Sequence, residues 1–203
     1  MSFDFSDIID ILNNKEFEKL GEDIYVYHNF ATDNECDMII HYSNLIEEDL
    51  WHDNFSCYTS DISITTISEI KKRLSYLLND NIFLNENNGL IRMQKGQSWG
   101  LHSDNHDFLQ LREKASLYKE GDVFHFEKNN LYGLIIYFND FEGGEVYYPN
   151  QNIEYKPKKG DLLIHSAEEH CLHGVKEVKS KVRYSHSSNL YNYIKVPRKY
   201  NVI

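Results

Sequence analysis

Residues 131–165, "LYGLIIYFNDFEGGEVYYPNQNIEYKPKKGDLLIH", decide the fold. Short runs rich in Ile, Leu, Val and Tyr alternate with "EGG", "PNQN" and "PKKG", clusters of the residues that tight turns require. Strands separated by turns are what this punctuation predicts. The same pattern begins near residue 83, where "NENNG" and then "KNN" mark further breaks. Upstream the period changes. In "SFDFSDIIDILNNKEFEKL", Ile8, Ile9, Ile11, Leu12 and Phe17 recur at helical intervals, and "EDIYVYHNF" then reads as a short strand. Thr32 and Glu35 have capping-box spacing and place a helix over about 33–46, and "ISEIKKRLSYLL" supplies another amphipathic helix. The expected architecture is α+β: a mainly helical support region, about residues 1–82, packed on a jelly-roll core over about 83–195, in a single domain. A chain of 203 residues suits that size.

Composition limits what the chain does. With 41% hydrophobic residues, 15 Tyr and 11 Phe, it has ample material for a packed core. The longest apolar stretch, "LYGLIIYF", is far too short to span a bilayer, and the opening "MSFDFSDIID" is acidic where a signal peptide is basic. The expectation is a soluble cytoplasmic protein with no membrane partner. Cys36, Cys57 and Cys171 are odd in number and lack metal-like spacing, so reduced thiols are expected. The net charge of −11 argues against nucleic acid, yet the charge is uneven: residues 1–60 hold 14 Asp/Glu against 2 Lys/Arg, whereas from 151 onward 10 Lys/Arg face 5 Asp/Glu. An anion site is therefore sought toward the end of the chain.

The chemistry-bearing motif is His102-Ser103-Asp104, in "KGQSWGLHSDNHDF". If 100–104 is extended, His102 and Asp104 share a face. An imidazole and a carboxylate aimed into a barrel mouth are two of the three ligands of a facial triad, which binds non-heme Fe(II) and keeps positions open. A distant histidine should complete it. His125 and Glu127 form a competing His-x-Glu pair, and an exposed loop histidine is the plain alternative for His102. Downstream, Arg183 and Ser185 in "RYS" share a strand face. An inward arginine needs an anion, because an uncompensated buried charge costs about 3–5 kcal/mol, and its planar fork suits a carboxylate. His173 lies ten residues before it, with "KEVKSK" as a turn, which predicts His173 and Arg183 on adjacent strands.

The ordered set "IYVYHNFATDNECDMII", "IRMQKGQSWGLHSDN", "LIIYFNDFEGGEVYYP", "YKPKKGDLLIH" and "LHGVKEVKSKVRYS", over roughly residues 24–190, resembles the Fe(II)/2-oxoglutarate-dependent dioxygenases, and within them the prolyl 4-hydroxylase type. The resemblance implies a double-stranded β-helix, iron held by His102, Asp104 and His173, and the distal carboxylate of 2-oxoglutarate held by Arg183 with help from Ser185. It implies Fe(II), 2-oxoglutarate and O2, with ascorbate as an accessory, and hydroxylation of a prolyl residue in a peptide or protein with release of succinate and CO2. The family often carries a tyrosine at the position of Met93, after an arginine such as Arg92. A thioether cannot donate the phenolic hydrogen bond, so Tyr137 or Tyr132 is the candidate substitute.

Other residues have competing readings. Trp99 precedes the triplet where the family has an aromatic near substrate, and a packed core Trp is the alternative. The polar stretch 107–130 is long for a connection and is expected to cover substrate, with Arg112 as a contact. His106, His165 and His170 do not fit the strand-spaced pattern and are not expected to be ligands. Gly143 and Gly144 read as a turn and "KPKKG" as a solvated loop. Another side chain or a small molecule would use the same core as a prolyl substrate. Of other classes, a metal-binding recognition barrel without turnover stays open. A halogenating relative is disfavoured by Asp104, and a zinc hydrolase by the lack of a water-activating base.

Overall fold

The computed structural model describes residues 11–13, 16–51, 56–58, 65–78, 83–84, 89–104 and 127–194. Its strands in chain order are β1 (Glu18–Gly21), β2 (Ile24–Tyr27), β3 (Ser56–Tyr58), β4 (Phe83–Leu84), β5 (Gly89–Met93), β6 (Trp99–His102), β7 (Glu127–Tyr137), β8 (Glu142–Gly143), β9 (Val146–Tyr148), β10 (Ile153–Tyr155), β11 (Leu162–Ser166), β12 (His173–Val175), β13 (Val178–Ser180) and β14 (Arg183–Ile194). The helices are α1 (Asp33–Ser43) and α2 (Thr65–Leu77). The larger sheet runs β1-β2-β11-β7-β14-β5-β3, with β4 also on β14, and the smaller runs β10-β9-β12-β6. Strands β13 and β8 form a separate ribbon. This is the expected α+β arrangement, a double-stranded β-helix with helices on one side.

The turns behave as their residues dictate. Asn152 (φ +53) and Gly160 (φ +87) take the left-handed conformation at the ends of "PNQN" and "KPKKG". In the latter, the Lys158 N–H donates to Asp161, and Lys159 reaches Asp37 and Asp33 on the acidic first turns of α1.

Between turns, the strands of the larger sheet are buried on both faces, which explains their unbroken apolar runs. Leu163 and Tyr137 point inward and pack with Val146, Tyr148 and Tyr155 of the smaller sheet. Leu134, Ile136, Leu162 and Ile164 point outward, under Ile39 of α1 and Ile67, Ile70 and Leu74 of α2. The helices thus cover the larger sheet and leave the gap between sheets free for a site.

Helix α1 starts where its capping box puts it. Thr32 Oγ1 accepts the Glu35 N–H, and the Glu35 carboxylate accepts the Thr32 N–H. It ends at Ser43, three residues short of the expected limit, because Asn44 turns back onto the Ile40 and Tyr42 carbonyls. Arg73 of α2 grips the Glu35 carboxylate with both terminal nitrogens and also donates to the Phe30 carbonyl, joining the helices through the cap itself.

Two expectations about the chain path are corrected. Of the first expected helix, the described residues 11–13 are helical, residues 2–10 lie outside the described set, and Glu18–Gly21 is a strand. Asp23 (φ +54) closes a hairpin to β2, and β2 extends the sheet beside β11. Ladder hydrogen bonds along a sheet edge outweigh the helical spacing of Phe17 with the residues before it. The N-terminal region therefore contributes strands as well as helices. Secondly, "KEVKSK" is not a turn between neighbours. It contains β13, and His173 and Arg183 lie on different sheets.

His186, opposite Ile136 and Leu90 in the ladders, is buried under the helices, and its Nε2 has no hydrogen-bond partner among the described residues. Burial, with the nearby Lys71 charge, pushes its pKa down to about 3. Its unfolded value is near 6.5, so the unfolded chain binds the proton more readily than the fold does. The stabilising effect is complete above pH 6.5 and is lost as pH falls from there toward 3, at up to about 1.4 kcal/mol per pH unit. His186→Leu is expected to flatten that part of the stability profile in urea titrations at successive pH values. A slope equal to that of the unsubstituted protein would remove His186 as its source.

Candidate metal and anion site

Strands β6 and β12 pair with His102 directly opposite His173, and the two imidazoles lie 4.4 Å apart between ring centroids. Strand β6 ends at His102, so Asp104 does not share a strand face with it as the extended reading required. Asp104 arrives from the turn that follows, with Oδ1 3.7 Å from His102 Nε2. One ligand atom from each of His102, Asp104 and His173 lies within 4.8 Å of the others, a spacing that could hold a metal ion.

The tautomers favour this. His102 Nδ1 lies 2.9 Å from the Gly100 carbonyl and His173 Nδ1 3.0 Å from the Cys171 carbonyl. A carbonyl only accepts, so each Nδ1 carries the proton and each Nε2 keeps its lone pair. Burial pushes the His173 pKa down to about 3, which keeps the ring neutral. For Asp104, burial alone would raise the pKa, but the His165 hydrogen bond and the three surrounding imidazoles outweigh it and hold the carboxyl down at about 2. Two imidazoles and one carboxylate are the donor set that suits Fe(II) with positions left open.

His165, which the sequence reading set aside as a ligand, lies beside this cluster without being one of the grouped residues. It is fully buried on β11, its Nε2 3.1 Å from Asp104 Oδ2, its Nδ1 2.7 Å from the Tyr148 hydroxyl. The available signal was alternation: Leu163 packs inward, so His165, two residues on, does too.

Toward the other end of the gap lies Arg183. It pairs in register with Met93, while Ser185 pairs with Tyr137, so the expected shared face of Arg183 and Ser185 is present. The guanidinium is 2% exposed and meets neutral groups: Met93 Sδ at 3.2 Å, Ser185 Oγ at 3.3 Å and Tyr137 Oη at 3.5 Å. The Tyr137 and Phe141 rings lie 5.0 and 5.6 Å from it. Its Nε has no partner, and no carboxylate among the described residues pairs with it. Such a cation is a prepared seat for an anion.

Met93 thus touches the guanidinium, and of the two tyrosines offered in place of the family's, Tyr137 is the one in reach. Burial pushes its phenol up to about 12, so it retains its proton to donate. Tyr132 faces the helices instead. Arg92, beside Met93, also points away: it stacks on Trp51 at 4.2 Å and pairs with Glu48.

Trp99 is not a core residue. It is 38% exposed, its ring 5.8 Å from that of His102, and with Tyr147, Val175 and Lys176 it lines an open groove of about 430 Å³. Arg112, His106 and His125 fall outside the described residues, as does 105–126 of the expected cover. Residues 127–130, assigned to that connection from sequence, are the start of β7, and Glu127 pairs with Ile194 at the end of the ladder away from Tyr137. His170 pairs with Asp23 at 3.0 Å and takes no part in the cluster. Cys36 and Cys171 are free and buried, and burial raises both thiols, to about 11 and 12, so they are inert reduced groups; the Cys57 side chain lies outside the described set. No helix among the described residues is long and apolar enough to cross a membrane.

Known structures share this fold. The viral collagen prolyl hydroxylase of Paramecium Bursaria Chlorella virus-1, solved with 2OG, superposes with a TM-score of 0.63 at 20% identity, over 84% of this chain and 97% of that one. HygX from Streptomyces hygroscopicus, with nickel, 2-oxoglutarate and hygromycin B bound, gives 0.58 at 14% identity over 83% and 82%. A prolyl hydroxylase from Trichoplax adhaerens, in complex with a hypoxia inducible factor peptide fragment, gives 0.55 at 15% over 92% and 88%. At these identities the likeness is one of fold. No curated protein matches the sequence. The family model of the 2OG-Fe(II) oxygenase superfamily, however, matches residues 89–191, half of the chain and the whole span from β5 into β14. The chain belongs to the 2OG-Fe(II) oxygenase superfamily.

Proposed function

We propose that the protein is an Fe(II)- and 2-oxoglutarate-dependent hydroxylase in which His102, Asp104 and His173 hold the metal and Arg183 holds the distal carboxylate of 2-oxoglutarate. The observation that carries this reading is Arg183, a buried cation without a carboxylate partner among the described residues, in the same inter-sheet gap as a two-imidazole, one-carboxylate cluster. Both groups border one strand face. Gly133 of β7 lies against Asp104, and Tyr137 lies against Arg183, about 13 Å further along.

Each residue then has a task. Arg183 donates to the distal carboxylate, with Ser185 and Tyr137 as neighbouring hydroxyl donors. His102 and His173 present lone pairs because backbone carbonyls fix their tautomers, and Asp104 contributes the negative charge. Val146, Tyr148 and Leu163 keep the gap dry, which strengthens every one of these contacts. When bound, Fe(II) supplies the oxygen chemistry: 2-oxoglutarate is oxidised to succinate and CO2, one atom of O2 entering succinate and the other a C–H bond of the substrate.

For substrate, the reading is a prolyl residue in a peptide or protein. The open groove beside His102 can admit an extended chain, and the exposed Trp99 and half-buried Tyr147 suit a pyrrolidine ring. A free small molecule is the second reading, supported by the hygromycin B complex of HygX on the same fold. Anaerobically Fe(II)-loaded protein exposed to O2 should form succinate, and a proline-rich peptide should stimulate it and gain 16 Da, the mass of one oxygen atom. Succinate without peptide modification would shift the substrate to the second reading. Metal binding with no succinate under any condition would leave a barrel that recognises without oxidising.

A further inference from the structure

We propose that His165 is a positioning residue, held by Tyr148, that occupies one oxygen of Asp104 and so fixes the carboxylate as a one-oxygen metal ligand. The inference rests on the metal reading above and adds a residue to it.

For a neutral His165 imidazole the hydrogen-bond directions allow one assignment. An ionised carboxylate only accepts, so His165 Nε2, 3.1 Å from Asp104 Oδ2, must carry the proton. The neutral ring then has its lone pair at Nδ1, and the Tyr148 hydroxyl, 2.7 Å away, must donate to it. Burial holds the Tyr148 phenol protonated. The chain Tyr148 to His165 to Asp104 Oδ2 is therefore satisfied at each link, in a place where an unmet polar atom would be costly. It also crosses the gap, from β9 of the smaller sheet to β11 of the larger.

The backbone is shaped around this contact. Gly133 stands opposite His165 in the ladder between β11 and β7. A Cβ at residue 133 would lie 2.1 Å from Asp104 Oδ2 and 2.4 Å from His165 Nε2, so only glycine leaves room for the hydrogen bond. With Oδ2 held by His165, Oδ1 is the oxygen that lies near His102, 3.7 Å from its Nε2. A carboxylate freed from His165 could swing to bind through both oxygens, which would take a coordination position that cosubstrate or oxygen needs.

Cobalt(II) is a suitable probe, because its visible spectrum reports coordination number without turnover. Co(II) titrations of the unsubstituted protein, His165→Phe, His165→Gln and Tyr148→Phe would be compared, with thermal melting of each apo form as the check on folding. His165→Phe, which cannot donate, should weaken Co(II) about 10- to 100-fold and change the absorption bands. His165→Gln restores a donor and should recover most of both properties, which a purely structural role would not predict. Tyr148→Phe should fall between them. If His165→Phe does not fold, His165→Gln against Tyr148→Phe decides the matter. Wild-type affinity and spectrum in His165→Phe would overturn the inference, as would electron spin-echo detection of three coordinated imidazoles in the unsubstituted Cu(II) or Co(II) form, which would make His165 a ligand. Co(II) binding unaffected by His173→Ala would overturn the metal site itself, and this inference with it. Normal His173-dependent binding with an indifferent His165 would sink the inference alone.

Discussion

Replacing Arg183 with methionine is expected to yield a protein that melts higher and has lost its hold on 2-oxoglutarate. Both effects come from the same fact. In the unliganded protein the guanidinium is desolvated among Met93, Tyr137, Phe141 and Ser185, and no carboxylate among the described residues offsets its charge. Such a charge costs about 3–5 kcal/mol, of which two aromatic contacts return about 1–2 kcal/mol in total. A thioether of similar length fills the space without the charge, so apo stability should rise by about 1–3 kcal/mol, a few degrees per kcal/mol for a chain of this size. The loss on the other side is larger. Removing one partner of a buried charge pair costs about 2–5 kcal/mol, which raises the KM for 2-oxoglutarate by roughly 30-fold to several thousand-fold. Succinate formation against 2-oxoglutarate concentration, with a melting curve of each apo protein, measures both. A variant that melts lower and keeps its KM would show that Arg183 serves packing and not the cosubstrate.

The second large effect belongs to His173. His173→Ala should reduce succinate formation by more than about 100-fold, since removal even of groups that only support a ligand typically costs 10- to 100-fold. The fold should survive. At neutral pH the ring is a neutral buried group held by one Nδ1–H bond to Cys171, and burial already disfavours its charged form. Below pH 6.5 the variant should even gain stability relative to the parent, because the unsubstituted chain must bury an imidazole that its unfolded state would protonate. His170→Ala is the matched control, three residues away on the same segment but paired with Asp23. Equal losses in the two variants would mean that the segment, and not the His173 ligand atom, is what turnover needs.

Much of this architecture was legible because it rests on local physics. The capping box at Thr32 and Glu35, the amphipathic spacing of Ile67, Ile70 and Leu74, and the turn residues between strands each act within a few positions of themselves. Same-face logic also placed Arg183 with Ser185. What failed was pairing. Nothing in "EFEKL" announces that β2 is available as its partner, so helical spacing misled there. Nothing between His173 and Arg183 says that the chain changes sheets. The His102 and Asp104 pair was found for an incomplete reason, since the strand stops at His102 and a turn brings Asp104 back. His165 was passed over because it lacks a motif partner in sequence, although Asp104 and Tyr148 meet it in space.

Among the described residues, strand β6 ends the smaller sheet's order and pairs with β12 through an irregular register, and its residues are mostly exposed. Left to itself such a strand opens easily. Its end carries His102, with Asp104 just beyond, while His173 belongs to the strand inside it. A cation shared among the three is thus a latch between a loose edge and the body of the sheet. At a hundredfold excess over its dissociation constant it adds about 2.7 kcal/mol to the free energy of opening. The amide protons of Trp99–His102 should therefore exchange about 100-fold more slowly in the loaded protein than in the empty one, and the wall of the site becomes rigid only once there is chemistry for it to contain.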